Sequence, residues 1–209
     1  MANQPAKYEN LPLEAKNELR QNLLAEQGYI CCYCMKRIPE NTSPYMKVEH
    51  FKCQDNFGTM QLTYTNLFAA CTGNEGQPKI KQTCDTKKGN VDLTINPTST
   101  FPICETLFKY NAEEEEISSI TDNVDINRQL NDVLNLSMQT MKDGRSEIYL
   151  EVQERVRVES KKAKKDKASF VKFLEQEKAK WLERTDNKHR PYCSVAIYYL
   201  TKKIKSKKR

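Results

Sequence analysis

The segment "YICCYCMKRI", Tyr29 to Ile38, places three cysteines within four positions, and no other stretch narrows so far what the chain can fold into. Cys31 and Cys34 form a C-x2-C knuckle, which brings two sulfurs to one metal ion. Zinc takes sulfur at about 2.3 Å in a tetrahedron, so one knuckle supplies half a site. The 209 residues carry eight cysteines in all, at 31, 32, 34, 53, 71, 84, 104 and 193. Whether they bind metal or pair as disulfides depends on compartment. The opening "MANQPAKYENLPLEAKNELR" has no apolar signal core, and no apolar run approaches the roughly 20 residues needed to cross a bilayer. The expectation is a cytoplasmic chain with no membrane contact, where reducing conditions favour metal binding over disulfides.

The other half of the metal site falls to Cys71 and Cys84. Their spacing is C-x12-C, so the loop "TGNEGQPKIKQT" must return the second sulfur to the first. A structural zinc on Cys31, Cys34, Cys71 and Cys84 would replace the hydrophobic core that so short a segment cannot build. Cys104 and Cys193 stand among apolar residues and read as small buried hydrophobes. Cys32 and Cys53 lack ligand spacing.

Three parts follow one another. Residues 1–28 hold an N-terminal helix, with Asn10 as a cap, Pro12 in the first turn and Gly28 as a stop. Residues 29–96 are rich in turns, glycine and proline, with short apolar segments that suggest small strands. Residues 97–209 begin with "ETLFKY" and "EISSI", which can pair as a hairpin across the acidic run Glu113–Glu116. They continue as helices in "DINRQLNDVLNLSM", "SEIYLEVQERVRVE", "ASFVKFLEQEKAKWLE" and "PYCSVAIYYLTKKI". The fold class expected is α+β: a small metal-bearing core with a helical region that contacts a partner or nucleic acid. The net charge of +6 is concentrated in "RVRVESKKAKKDK" and "TKKIKSKKR". Such runs serve equally as solvated helix faces or as phosphate attractors.

Only two histidines occur. His189, in "NKHRPY", reads as a polar residue at a helix entry. His50, in "VEHF", adjoins Glu49 on a segment that looks like a strand. Strand neighbours point to opposite faces, so the acid and the imidazole share one spot only if the hairpin twists or bulges.

The order "CCYC…VEH…YTNLFAAC…CDTKKGN" resembles the zinc-bearing HNH endonucleases of the ββα-metal class, over about residues 28 to 90. Within them, "QGYICCYCMKRI", "VEHF", "TNLFAACTGN", "CDTKKG" and "RPYCSVAIYYLTKKI" are similar to the HNH subunit (PtuB-like) of Septu-type anti-phage systems, also found with some retrons. The resemblance implies a metal-dependent endonuclease acting on nucleic acid, DNA favoured, beside an ATPase subunit of the same defence system. It implies His50 as general base, with Glu49 and Asp85 holding a catalytic Mg²⁺ or Mn²⁺. Asn66 would fix the loop or orient His50, and Lys88 would touch phosphate. Glu49 stands where aspartate or histidine is commoner in the family.

The chemistry asks for the same residue types. A histidine has an unperturbed pKa of about 6.5, close to working pH, and can activate water. A hard cation on carboxylate oxygens stabilises the charge of phosphodiester cleavage. Plainer readings stand beside these: Glu49 as a solvent-facing strand residue, and Asp85 as a helix cap. Other functions open to the chain are a zinc-stapled nucleic-acid-binding or scaffold module without catalysis, a restriction or repair HNH nuclease, and an RNA or tRNA nuclease.

Overall fold

A computed structural model describes residues 7–39, 45–111, 116–162 and 166–208. Residues 113–115 of the acidic run and 163–165 of the first basic run lie outside them. The architecture is mixed α and β. Helix α1 (Leu13–Glu26) leads to two small antiparallel sheets, β1 (Met46–His50) with β2 (Leu67–Cys71) and β3 (Phe108–Asn111) with β4 (Glu116–Ser119). The short α2 (Cys84–Lys88) lies between the sheets in sequence. After β4 come α3 (Val124–Arg128), α4 (Gln139–Lys162), α5 (Lys167–Leu182) and α6 (Cys193–Lys208). None of the described helices is long and apolar enough to cross a membrane.

The expected hairpin forms, with Phe108 opposite Ser119 and Tyr110 opposite Ile117. Two helix boundaries differ from expectation. Pro12 is the N-cap of α1, not part of its first turn, and Asn10 closes a preceding 3-10 turn (Tyr8–Asn10). The periodic segment from Asp125 does not run as one helix to Met138. It widens into a π turn (Gln129–Val133) and ends, with Asn135 in the left-handed region at φ 52°. Two contacts fix that ending. Asn135 Nδ2 donates to the carbonyls of Ile80 (3.0 Å) and Gln82 (2.9 Å), and the Cys84 amide donates to the Leu134 carbonyl (2.9 Å). A helix end thus clamps the loop that separates Cys71 from Cys84.

Two clusters of buried side chains result. One gathers Leu23 and Leu24 of α1, Ile38, Phe68 and Ala69, and reaches past residue 96 to Ile117, Leu130, Leu134 and Met141. The other is formed by α4, α5 and α6. Its sequence basis is plain: Ile148, Val152 and Val156 on α4, and Phe170, Leu174 and Trp181 on α5, recur at spacings of four or seven residues, one or two helical turns, and are buried. Each fully buried Leu or Val contributes about 1.5–3 kcal/mol. Gly144 of α4 lets the Tyr192 ring approach closely; a Cβ there would stand 2.4 Å from a ring carbon.

The two clusters are also tied by polar contacts. The Arg37 guanidinium, just beyond the cysteine knuckle, donates to the carbonyls of Gly28, Tyr29 and His189. His189 is partly buried against Gly28 and accepts from Arg184 Nε at 3.1 Å. It therefore lies in the joint between α1 and the α5–α6 connection, far in role from any chemistry.

Candidate metal and active site

The knuckle lies along β2 because the Cys32 amide donates to the Ala69 carbonyl (3.1 Å), while the Gln27 side chain bonds both the amide and the carbonyl of Ala69. That places Cys31 and Cys34 beside Cys71, the last residue of β2. The long loop then returns. Thr83 donates its amide to Gly73 (2.9 Å), and Thr86 Oγ1 donates to the Thr72 carbonyl (2.8 Å). Gly73 has φ +55° and meets Thr83 so closely that a Cβ would stand 2.1 Å from the carbonyl oxygen, so only glycine closes this loop. The pinned ends leave Cys84 next to Cys71 despite the C-x12-C spacing.

The four sulfurs of Cys31, Cys34, Cys71 and Cys84 lie within 4.8 Å of one another, and Cys34 Sγ is 3.8 Å from Cys71 Sγ. A zinc tetrahedron with bonds of about 2.3 Å has sulfur–sulfur edges of about 3.8 Å. The donor set fits a metal such as zinc. Burial opposes ionisation of Cys31, but hydrogen bonds from its cysteine neighbours outweigh it and hold that thiol well below the usual range. Cys32 and Cys53 stay outside the cluster. Cys193 is buried, whereas Cys104 is only partly so.

An open cleft of about 530 Å³ is lined by Glu49, His50, Gln54, Asp85 and Lys88 among others. β1 and β2 pair one to one, Glu49 opposite Phe68 and His50 opposite Leu67, so no bulge brings the acid and the imidazole together. The strand ends at His50, and Glu49 and His50 both line the cleft.

Glu49 is almost fully buried. Its Oε1 accepts from the Tyr33 hydroxyl (2.6 Å) and pairs with the Lys88 ammonium (2.8 Å). Burial and the facing Asp85 carboxylate push its carboxyl up to about 8, with Lys88 opposing. Burial would raise Asp85 too, but the hydrogen bond with Glu49 and the Lys47 ammonium, 3.1 Å away, hold it below the ordinary carboxylate range. A buried carboxyl, Glu49, hydrogen-bonded to a half-buried one, Asp85, offers a pair of hard oxygen donors for a divalent cation.

His50 Nε2 lies 3.0 Å from the Gln61 carbonyl oxygen. A carbonyl only accepts, so Nε2 carries the hydrogen and Nδ1 keeps its lone pair, to which Gln54 Nε2 donates at 3.2 Å. Burial lowers the imidazole's pKa, which favours the neutral ring. The Tyr8 ring stacks edge-on against it at 5.1 Å.

Lys88 departs from the expected phosphate contact. It is at the C-terminal end of α2, not the N-terminal one, and is only 2% exposed. Its ammonium is spent on Glu49 and the His50 carbonyl (3.2 Å). In this position it is a counter-ion that holds β1 and α2 together. Asn66 does not line the cleft. Its Oδ1 accepts from the Lys52 amide (2.7 Å) and its Nδ2 donates to the carbonyls of Lys52 and Met60, clamping the loop that follows His50. Tyr33, Lys47, Gln54 and Gln61 were not singled out from sequence. Lys47 alone had a local signal, being two residues before Glu49 on the same strand face.

No family model matches the chain. It is similar to the Septu protein PtuB of Bacillus thuringiensis, with 32% identity over 113 residues, which are 48% of this chain and 41% of the relative. The chain therefore aligns with about two fifths of the length of that relative.

Proposed function

We propose that the chain is a metal-dependent HNH endonuclease, an effector of an anti-phage defence system. The observation that carries the reading is that Glu49, His50 and Asp85, from two separate segments, line one open cleft, with Asp85 next in sequence to Cys84 of the four-cysteine cluster. The order hairpin then short helix, β1–β2–α2, supports a ββα-metal core. The similarity to a Septu protein supports the defence role, and an ATPase partner is part of the same proposal.

In this reading His50 Nδ1 takes the proton of the attacking water. Nε2 donates to the Gln61 carbonyl and so fixes the ring and eases the charge it gains. Gln54 yields its bond to Nδ1 when water arrives. Glu49 and Asp85 would hold Mg²⁺ or Mn²⁺, which when bound supplies charge stabilisation at the phosphoryl and leaving oxygens. Lys88 and Tyr33 position Glu49, and Asn66 positions the loop after His50. Lys47, partly exposed at the cleft, would leave its ion pairs with Glu75 and Asp85 to meet phosphate. The four cysteines would hold zinc in a structural role.

The test is cleavage of supercoiled plasmid, single-stranded DNA and transfer RNA with Mg²⁺ or Mn²⁺, with and without the product of the neighbouring gene. Cutting that needs the cation and falls at least 100-fold in His50→Ala supports the reading. Full activity in His50→Ala, or none in folded, zinc-loaded wild type with its partner, overturns it.

A further inference from the structure

A second cleft, of about 600 Å³, opens between β3, α4 and α6 and shares no lining residue with the His50 cleft. We propose that it binds single-stranded nucleic acid, a base against its tyrosines and the flanking phosphates against Lys202 and Lys203. Four tyrosines line it in two edge-to-face pairs. Tyr149 and Tyr199 have ring centroids 5.1 Å apart, and Tyr110 and Tyr198 5.6 Å apart. Mutual packing of this kind fixes ring faces in advance, so little side-chain freedom is lost when a base stacks.

Among the described residues the charge is one-sided. Lys202 and Lys203 ride over the Tyr198 and Tyr199 rings at 6.0 and 5.5 Å, and among the described residues neither has a carboxylate partner. The described lining contains no Asp or Glu. Lys109, the third lysine of the lining, is paired with Asp122.

A basic end to α6 is expected from the helix dipole alone. That does not account for the tyrosines, nor for how the lysines divide. Lys207 lies over Phe170 and Lys208 pairs with Glu175, both away from the cleft. The volume suits a ligand of a few rings and phosphates, too small for a duplex, whose bases in any case hide their faces in the stack. A base joined to phosphodiesters is the ligand with both a flat face and distributed negative charge. The assignment is independent of the nuclease reading, since a chain that cuts nothing can still bind a strand here.

The test is fluorescence anisotropy with labelled dT15 and U15 at several salt concentrations, without added divalent cation so that cutting does not intervene. Lys202→Ala/Lys203→Ala should weaken binding at least ten-fold and reduce the salt slope by about 1.4, the share of two phosphate contacts on a single strand. Lys205→Ala/Lys207→Ala removes the same charge from the same helix and should change affinity less than two-fold. Tyr198→Leu should weaken binding five-fold or more. Because such variants can disturb the helix, 5-iodouridine crosslinking on the unaltered chain gives a second readout, with adducts expected at Tyr149 or Tyr198. Equal loss in the two lysine pairs, or adducts only elsewhere, overturns the proposal. So does saturation by uridine monophosphate or an acidic peptide where neither oligonucleotide binds.

Discussion

Around the cysteines the chain buries, beside apolar residues such as Ile38 and Phe68, a set of polar and charged side chains: Thr83, Asn66, His50, Glu49 and Lys88. Around α4, α5 and α6 it buries Val152, Leu174, Trp181, Val195 and Leu200, with Glu177 held between Arg155 (2.7 Å) and Lys180 (2.7 Å). The difference shows two ways of ordering a chain. The helical region gathers enough apolar area to oppose conformational entropy. The cysteine-rich region has a buried apolar cluster as well, but it also takes polar and charged groups inside, and those stay there only because each meets a partner. Donors for a metal, and a cleft lined by ionisable groups, both lie in the second kind of region.

The contrast is sharpest at the four-cysteine cluster. Cys34→Ser, or removal of the metal by a chelator, should unfold residues 29–96, because binding free energy in such sites is folding free energy. Trypsin should then cut that region first while α4–α6 persist, as followed by mass spectrometry. Simultaneous loss of both would break the comparison and make the molecule one cooperative unit. Trp181→Ala should cost about 3–5 kcal/mol in chemical denaturation while leaving metal content at about one zinc per chain.

Lys88→Met probes the polar interior. It leaves Glu49 buried without its ammonium, and breaking such a pair costs about 3–5 kcal/mol, toward the lower figure here because Glu49 can hold a proton. Adding Glu49→Gln should recover much of that loss in a double-mutant cycle. An additive cycle would mean that the pair contributes nothing together. The smallest effect belongs to Gly144→Ala, where the added methyl meets the Tyr192 ring. About 1–3 kcal/mol of overpacking is expected, visible as a lower melting temperature with metal content unchanged.

Much of this was legible from spacing. The apolar stripes of α4, α5 and α6, the β3–β4 hairpin and the Cys31–Cys34 knuckle are local patterns, and local patterns follow from backbone geometry. The ends of elements were less legible. The segment from Asp125 has helical periodicity to Met138, yet it stops early because Asn135 bonds carbonyls of a loop more than fifty residues back. Lys88 has the sequence position of a phosphate contact but is drawn inward by a buried acid.

The sequence by itself determined the α+β class and the Cys31–Cys34 knuckle, because residue type and short spacing carry that information; the company of Glu49, His50 and Asp85 came only as what the family resemblance implies. Only the tertiary structure decided that Cys84 returns to Cys71 through the Gly73–Thr83 contact, that His50 presents Nδ1 because a backbone carbonyl occupies Nε2, and that four tyrosines from β3, α4 and α6 meet over one cleft. These depend on contacts between segments far apart in the chain, and such contacts form only when the packing of the whole molecule brings the segments together.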